Sequence, residues 1–103
     1  MNYIDIEKDE IPYSFEIDLG EEEFTIEMHY NGRFDFFTVD LYKNDKPLVY
    51  GEKLILDRPL FDGLVNIELP KVTIIPKDRS SMEKRITYAN LNETVYLYVF
   101  DPE

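Results

Sequence analysis

The 103-residue chain contains no cysteine and carries a formal net charge of −11, from 22 acidic and 11 basic residues. The lack of thiols excludes disulfides, thiolate metal sites and cysteine nucleophiles. The negative charge repels phosphate backbones, so direct nucleic-acid binding is not expected. The N-terminus lacks a signal-peptide pattern and no apolar run is long enough to span a bilayer, so a membrane partner is not expected either.

Residues 1–30 open the chain and hold most of its charge imbalance. Residues 3–6 fit either a short lead strand or part of an N-terminal arm covering residues 1–10. From Tyr13 to Leu19 apolar and polar residues alternate, which predicts a strand with one buried face. Gly20 ends that strand, and the three glutamates of residues 21–23 are expected to form a solvated hairpin turn.

Residues 24–56 are predicted to form three successive strands around which the core condenses. Residues 24–30 alternate with a period of two, and Asn31-Gly32 predicts a tight hairpin turn after them. A second strand covers residues 36–41. Residues 44–46 supply the next turn, and Pro47 is expected to close the ladder. Leu54 and Leu56 mark the third strand.

The second half of the chain is more irregular. Residues 57–65 read as a connection, part of which must be covered, and residues 72–75 read as a short strand ended by Pro76. Residues 77–84 are loop-like, and residues 85–88 are expected to pair only briefly. Residues 94–100 form the last strand. With no helical periodicity, the chain is predicted to be one all-β domain, residues 1–103, an antiparallel sandwich or small barrel of about seven strands.

The last strand is apolar on both faces and yields the candidate interface. Alternation places Val95, Leu97 and Val99 on one face and three aromatic residues on the other. Phe36 and Tyr42 have the polar parity of their own strand and are expected to join those three. The candidate interface residues are Phe36, Tyr42, Tyr96, Tyr98 and Phe100. Two interpretations stay open: a closed barrel or loop covers this patch, or it contacts another copy of the chain or a partner protein.

No motif for catalysis, cofactor binding or metal binding is found. His29 is the single histidine, lies at an outward position, and has no nucleophile motif around it. The carboxylate clusters at residues 9–10 and 21–23, and Asp101 with Glu103, have no calcium-loop spacing, and adjacent acids on a strand point to opposite faces. We therefore expect no catalytic, cofactor or metal site, and no enzymatic activity.

The acidic residues are concentrated at one end. Ten of the 22 acidic residues, but only one of the 11 basic residues, lie in residues 1–30. Such a field is typical of a surface that keeps the chain soluble, and it is also compatible with a basic protein partner, or with an inhibitor that imitates DNA and blocks a DNA-binding enzyme. The DNA-mimic alternative would use Asp5, Glu7, Asp9, Glu10, Glu21, Glu22 and Glu23. Most of these acids are expected in turns, whereas a mimic needs them along one extended face.

Five segments together resemble one known family. They are IPYSFEIDLG at residues 11–20, FTIEMHYN at 24–31, DFFTVDLY at 35–42, PLVYGEKLIL followed by RPLF across 47–61, and RITYANLNETVYLYVF at 85–100. In this order they are similar to the baseplate plug family of contractile-tailed phages, of the cyanophage type. The resemblance covers nearly the whole chain and is weakest at residues 62–82.

This resemblance implies a structural function. It suggests a phage or prophage tail protein that packs in the baseplate near the central hub and the end of the tail tube. The implied partners are other baseplate or tail proteins, with self-association also open. The implied location is the virion tail baseplate, with the host cytoplasm as the location before assembly.

Overall fold

The computed structural model describes residues 2–102, which form seven strands in two antiparallel sheets. The strands are β1 (Asn2–Ile4), β2 (Tyr13–Leu19), β3 (Glu22–Asn31), β4 (Phe36–Lys43), β5 (Lys46–Lys53), β6 (Thr73–Asp78) and β7 (Val95–Phe100). One sheet has the order β1-β7-β6 and the other the order β2-β3-β4-β5. A 3-10 turn, Lys8–Glu10, lies between β1 and β2. The prediction of an all-β antiparallel sandwich is confirmed.

The core lies between the two sheets and follows from the alternation along each strand. The four-stranded sheet buries the odd face of β4 and the even face of β3, and the three-stranded sheet buries one face of β6 and β7 against them. The buried residues of these four strands that form the core are Phe24, Ile26, Met28, Phe37, Val39, Leu41, Ile74, Val95 and Leu97. Two facing apolar layers of this kind are the usual core of a β-sandwich.

Two hairpins of the larger sheet close through two-residue turns. Leu19 pairs with Glu22, so Gly20 and Glu21 form the first turn, with Gly20 at a φ of 70°. Lys43 pairs with Lys46, and the turn residues Asn44 and Asp45 have φ values of 52° and 63°. Positive φ at both positions matches the twist of a hairpin. The predicted turn at residues 44–46 is confirmed.

The predicted tight turn at Asn31-Gly32 is wrong. Asn31 remains in β3 and pairs with Phe36, so the chain reverses through the four residues 32–35. The Asn31 side chain instead accepts hydrogen bonds from the backbone N–H groups of Arg33 and Phe34 at 3.0 and 3.2 Å. The positive φ falls on Asp35, at 56°. An asparagine that caps its own loop therefore replaces the two-residue turn.

Two prolines do not end strands as predicted. Pro47 pairs with Tyr42 inside β5, and Pro76 pairs with Leu97 inside β6. Both strands lie at sheet edges, where a missing N–H on the outer side costs no ladder hydrogen bond. The third strand of the meander consequently begins earlier than Leu54 and Leu56 suggested. Leu54 follows β5 and donates its N–H to the Phe37 carbonyl at 3.0 Å.

The two ends of the described chain pair with each other. Asn2, Tyr3 and Ile4 of β1 lie opposite Val99, Tyr98 and Leu97 of β7, so residues 2–4 are a lead strand. Residues 85–88 form no strand, contrary to the brief pairing expected. Within residues 2–102, no helix reaches the length and apolarity that crossing a membrane requires.

Candidate interaction surfaces

The outer face of the three-stranded sheet carries four aromatic residues and one isoleucine, which together we call the tyrosine face. It consists of Tyr3 on β1, Ile75 on β6, and Tyr96, Tyr98 and Phe100 on β7. The Tyr3 ring lies 4.6 Å from that of Tyr96 and 6.3 Å from that of Tyr98. These are the tilted and edge-on contacts that aromatic pairs prefer. Three of the five candidate interface residues are therefore adjacent.

The tyrosine face is covered unevenly. Tyr98 is 6% exposed because it lies in the central strand with Tyr3 directly opposite on one side and Ile75 on the other. Tyr3, at the sheet edge, is 49% exposed. Tyr96 is half-buried, and its hydroxyl donates to the Glu93 carbonyl at 3.3 Å. Local cover thus accounts for Tyr98, whereas Tyr3 and Tyr96 still present aromatic surface to solvent.

Phe36 and Tyr42 lie elsewhere, so the single five-residue patch expected from the sequence does not form. Both are on the outer face of the four-stranded sheet, which faces away from the three-stranded one. The Phe36 ring lies 4.6 Å from the Lys53 ammonium group, and the Tyr42 ring packs edge-on against Tyr50 at 6.0 Å. Parity along a strand identifies the face of that strand's own sheet, but it does not identify which sheet the strand joins.

That outer face also carries five acidic residues, which we call the acidic face. It consists of Glu16 and Asp18 on β2, Glu23 and Glu27 on β3, and Asp40 on β4. The Glu16 carboxylate, with a smaller contribution from Asp18, raises the pKa of Glu23. Most of the seven acids of the DNA-mimic alternative were expected in turns, and of these seven only Glu23 lies on this face. Glu16, Asp18 and Glu27 occupy the polar strand positions that alternation predicted for them.

The connection between β5 and β6 exposes aliphatic side chains that the sequence reasoning missed. Leu60 and Phe61 are buried, as expected for part of this segment. Val65 and Ile67, however, are 99% and 87% exposed, and we call residues 64–67 the aliphatic loop. The available signal was the segment between Gly63 and Pro70, in which Val65, Ile67 and Leu69 alternate with Asn66 and Glu68, yet no strand forms there. Large exposed apolar groups of this kind often mark protein contact sites.

A small cleft lies at one end of β4 and β5. It has a volume of about 240 Å³, and its lining includes Phe36, Lys53, Lys84 and Arg85. The Arg85 guanidinium is already engaged, with Nη2 3.1 Å from the Asp35 carboxylate. Arg85 therefore holds the loop before β4 and the segment before β7 together.

Comparison with known proteins identifies the family. A search of curated proteins found no match. The family model described as the cyanophage baseplate Pam3 plug gp18 matches residues 1–102. The match covers nearly the whole chain, including residues 62–82, where the resemblance noted in the sequence was weakest. That resemblance is confirmed, and the chain belongs to the baseplate plug family of cyanophage Pam3 gp18.

Proposed function

We propose that the chain is a non-enzymatic plug subunit that packs in the baseplate near the central hub and the end of the tail tube. Membership of the family indicates a structural role in the phage tail, located in the virion baseplate, with other baseplate or tail proteins as partners. Its position near the hub and tube end goes beyond what family membership indicates. We also propose that the subunit folds in the host cytoplasm before assembly.

The aliphatic loop is the observation that carries this proposal. Val65 and Ile67 project from an irregular segment in which the nearby buried residues, Leu60 and Phe61, already fill the adjacent core. Burying one such side chain stabilises a complex by about 1.5–3 kcal/mol. A subunit that acts by contact needs surface groups whose burial is deferred until assembly, and this loop supplies two.

The charge of the acidic face also supports contact with a protein partner. The acidic face concentrates carboxylates on one side of the four-stranded sheet, where they would complement a basic protein surface. The tyrosine face lies on the opposite side of the sandwich. A plug enclosed by neighbours on several sides would use both faces together with the aliphatic loop.

The test is co-expression of the chain with the hub and tube-end proteins of the same phage or prophage, followed by co-purification. The double variant Val65→Ser with Ile67→Ser should fold normally and bind these proteins at least tenfold more weakly. Met82→Ser is the matched control, since Met82 is also a large exposed apolar residue but lies between β6 and β7. Equal binding by the double variant and the control would reject the loop as the contact. Failure of the native chain to bind either protein would reject the position near hub and tube.

The acidic face also gives a reason to test the DNA-mimic alternative. Carboxylates spread over a sheet surface suit such a role better than carboxylates confined to turns. A mimic would prevent a DNA-binding enzyme from binding its duplex, and Glu16→Gln with Asp18→Asn would relieve that inhibition. We favour the plug role because it also accounts for the aliphatic loop, which a charge mimic does not require.

A further inference from the structure

Three potential metal ligands converge on the outer face of β3 and β4. Glu27 lies directly opposite Asp40 in the ladder, and His29 follows Glu27 by two residues, so all three side chains share one face. The His29 Nε2 atom is 2.9 Å from Glu27 Oε1 and 3.1 Å from Asp40 Oδ2. The three ligand atoms all lie within 4.8 Å of one another.

A bound cation would stabilise this cluster. Two carboxylates directly opposite each other on one face of a ladder repel and destabilise the pair. The imidazole presents one atom, Nε2, to both acids, and this atom can bind a metal ion through its lone pair. A divalent ion would accept that lone pair and offset both negative charges.

A hydrogen bond from the neighbouring strand β5 orients the Asp40 carboxylate. The other oxygen of Asp40, Oδ1, accepts a hydrogen bond from the Gly51 N–H of β5 at 2.7 Å, which directs Oδ2 towards His29. Asp40 is also the most buried of the three, with 13% of its side chain exposed. Outer hydrogen bonds that orient a ligating carboxylate are a regular feature of metal sites. Three neighbouring strands therefore contribute to the geometry.

We propose that Glu27, His29 and Asp40 bind one divalent transition-metal ion, with Zn²⁺ as the preferred class. Metal–ligand distances of about 2.0–2.2 Å separate two ligands by about 2.9 Å at right angles and by about 3.4 Å in a tetrahedron. The observed nitrogen–oxygen separations of 2.9 and 3.1 Å lie between these two values, closer to the right-angle value than to the tetrahedral one. One imidazole with two carboxylates suits Zn²⁺, Co²⁺ or Mn²⁺ better than Ca²⁺.

The proposed site departs from the expectation, drawn from the sequence, that the chain has no metal site. Asp40 lies on the next strand, and hairpin pairing brings it to His29. Three protein ligands leave further coordination positions for water. The inference is independent of the baseplate role, since it concerns the ligands within this chain alone.

The experiment is a Zn²⁺ titration of the full chain, freed of any histidine tag, by calorimetry and by NMR of the imidazole nitrogens. The chain has one histidine, so its signal needs no further assignment. We expect one equivalent of Zn²⁺ to bind and to shift the Nε2 signal. His29→Ala and Asp40→Asn should each weaken binding at least tenfold, and Co²⁺ should give a visible absorption band that both variants lose.

Glu16→Gln and Asp18→Asn are the matched controls, because each removes one negative charge from the same face without touching His29. Binding retained by these controls and lost with His29→Ala would support the site. Binding that His29→Ala leaves unchanged, or an imidazole signal unmoved by stoichiometric Zn²⁺, would overturn it and assign the ion to the general acidic field. No binding by the native chain would overturn it as well.

Discussion

The Tyr30 hydroxyl donates a 2.7 Å hydrogen bond to the Asp35 carboxylate, and this carboxylate ties two distant loops together. It also accepts the Tyr88 N–H at 2.8 Å and faces the Arg85 guanidinium at 3.1 Å. Arg85 Nη1 donates to the Asp35 carbonyl as well, at 3.0 Å. The β3–β4 loop is thereby joined to the segment that precedes β7, close to where the Tyr30 ring packs against Tyr88.

Replacing Asp35 should loosen this junction. Asp35→Ala removes the acceptor of three hydrogen-bond donors and places alanine at a φ of 56°, which it adopts less readily than aspartate. We expect the thermal midpoint to fall by several degrees. Asp35→Asn keeps an acceptor oxygen and tolerates the same φ, so its midpoint should lie between those of Asp35→Ala and the native chain. Equal midpoints for all three proteins would show that the junction contributes nothing.

Acid should destabilise the fold through Asp35 and Asp78. The Tyr30 hydroxyl, followed by the Tyr88 N–H, lowers the pKa of Asp35; the Ser80 hydroxyl, followed by the Glu83 N–H, lowers that of Asp78. Because each pKa is lower in the folded chain, the unfolded chain takes up these protons first as the pH falls. The stabilisation is complete above the ordinary value of 3.8 and is lost below it.

Urea unfolding at pH 7, 4 and 3 measures this effect. The native free energy of unfolding should decline between pH 4 and pH 3, and Asp78→Asn should show a shallower decline. A variant with the same decline as the native chain would show that Asp78 has no part in it.

Glu23 should behave in the opposite sense. Repulsion from Glu16 raises the pKa of Glu23, so its ionised form is less favourable in the folded chain than in the unfolded chain. Stability from this group is present below its ordinary pKa and is lost as the pH rises through the raised value. Glu23→Gln should therefore raise the thermal midpoint at pH 7 and leave it unchanged near pH 3. Glu21→Gln, in the adjacent turn, is the control for net charge, and an equal rise with it would contradict the pairwise explanation.

Three strands of the larger sheet, β2, β3 and β4, could be predicted because each buries one face, whereas β5 ends before the Leu54 and Leu56 that were expected to mark it. Alternation located Tyr13–Leu19 as observed and placed β3 and β4 within two residues of their bounds at each end. The smaller sheet could not be predicted in the same way. Its pairing of β1 with β7 joins Asn2 to Val99, and local pattern carries no information on a contact between chain ends.

The candidate surfaces could likewise be predicted within one strand but not between strands. Tyr96, Tyr98 and Phe100 were grouped correctly because they share one strand, whereas Phe36 and Tyr42 were added from another strand whose sheet was unknown. The cluster of His29 with Asp40 was missed because it depends on the β3–β4 register. The aliphatic loop was missed because composition shows which residues are apolar but not which of them the core can reach.

Asn90 is the buried polar residue of the described core, and its removal should be costly. Its side-chain oxygen accepts the Thr87 N–H at 2.8 Å, and its amide donates to the Arg85 carbonyl at 2.9 Å. Asn90→Ala leaves both backbone groups without these partners, which costs about 1–3 kcal/mol. Urea unfolding should show this loss, and Asn90→Asp should lose at least as much at neutral pH, because its carboxylate would face the Arg85 carbonyl oxygen at a buried site. A fully stable Asn90→Ala protein would mean that water replaces the amide.

The tyrosine face predicts different outcomes for two neighbouring substitutions. Tyr96→Glu places a carboxylate at a half-buried position that solvent still reaches, so the isolated chain should keep a near-native thermal midpoint. Tyr98→Glu places a charge at a site only 6% exposed, where an unpaired buried charge costs about 3 kcal/mol or more. The second substitution should therefore destabilise the fold itself.

Light scattering of the free chain and co-purification with the hub and tube-end proteins then test the surface. If the face is an interface, Tyr96→Glu should lower association, with another copy or with a baseplate partner, while the fold stays intact. Desolvating the new carboxylate on binding has a free-energy cost that hydration avoids in the free chain. A Tyr96→Glu protein that associates as the native chain does would remove this face from the interface. The partner contact would then lie on the aliphatic loop, where exposed apolar groups are concentrated, or on the acidic face, where charge is concentrated.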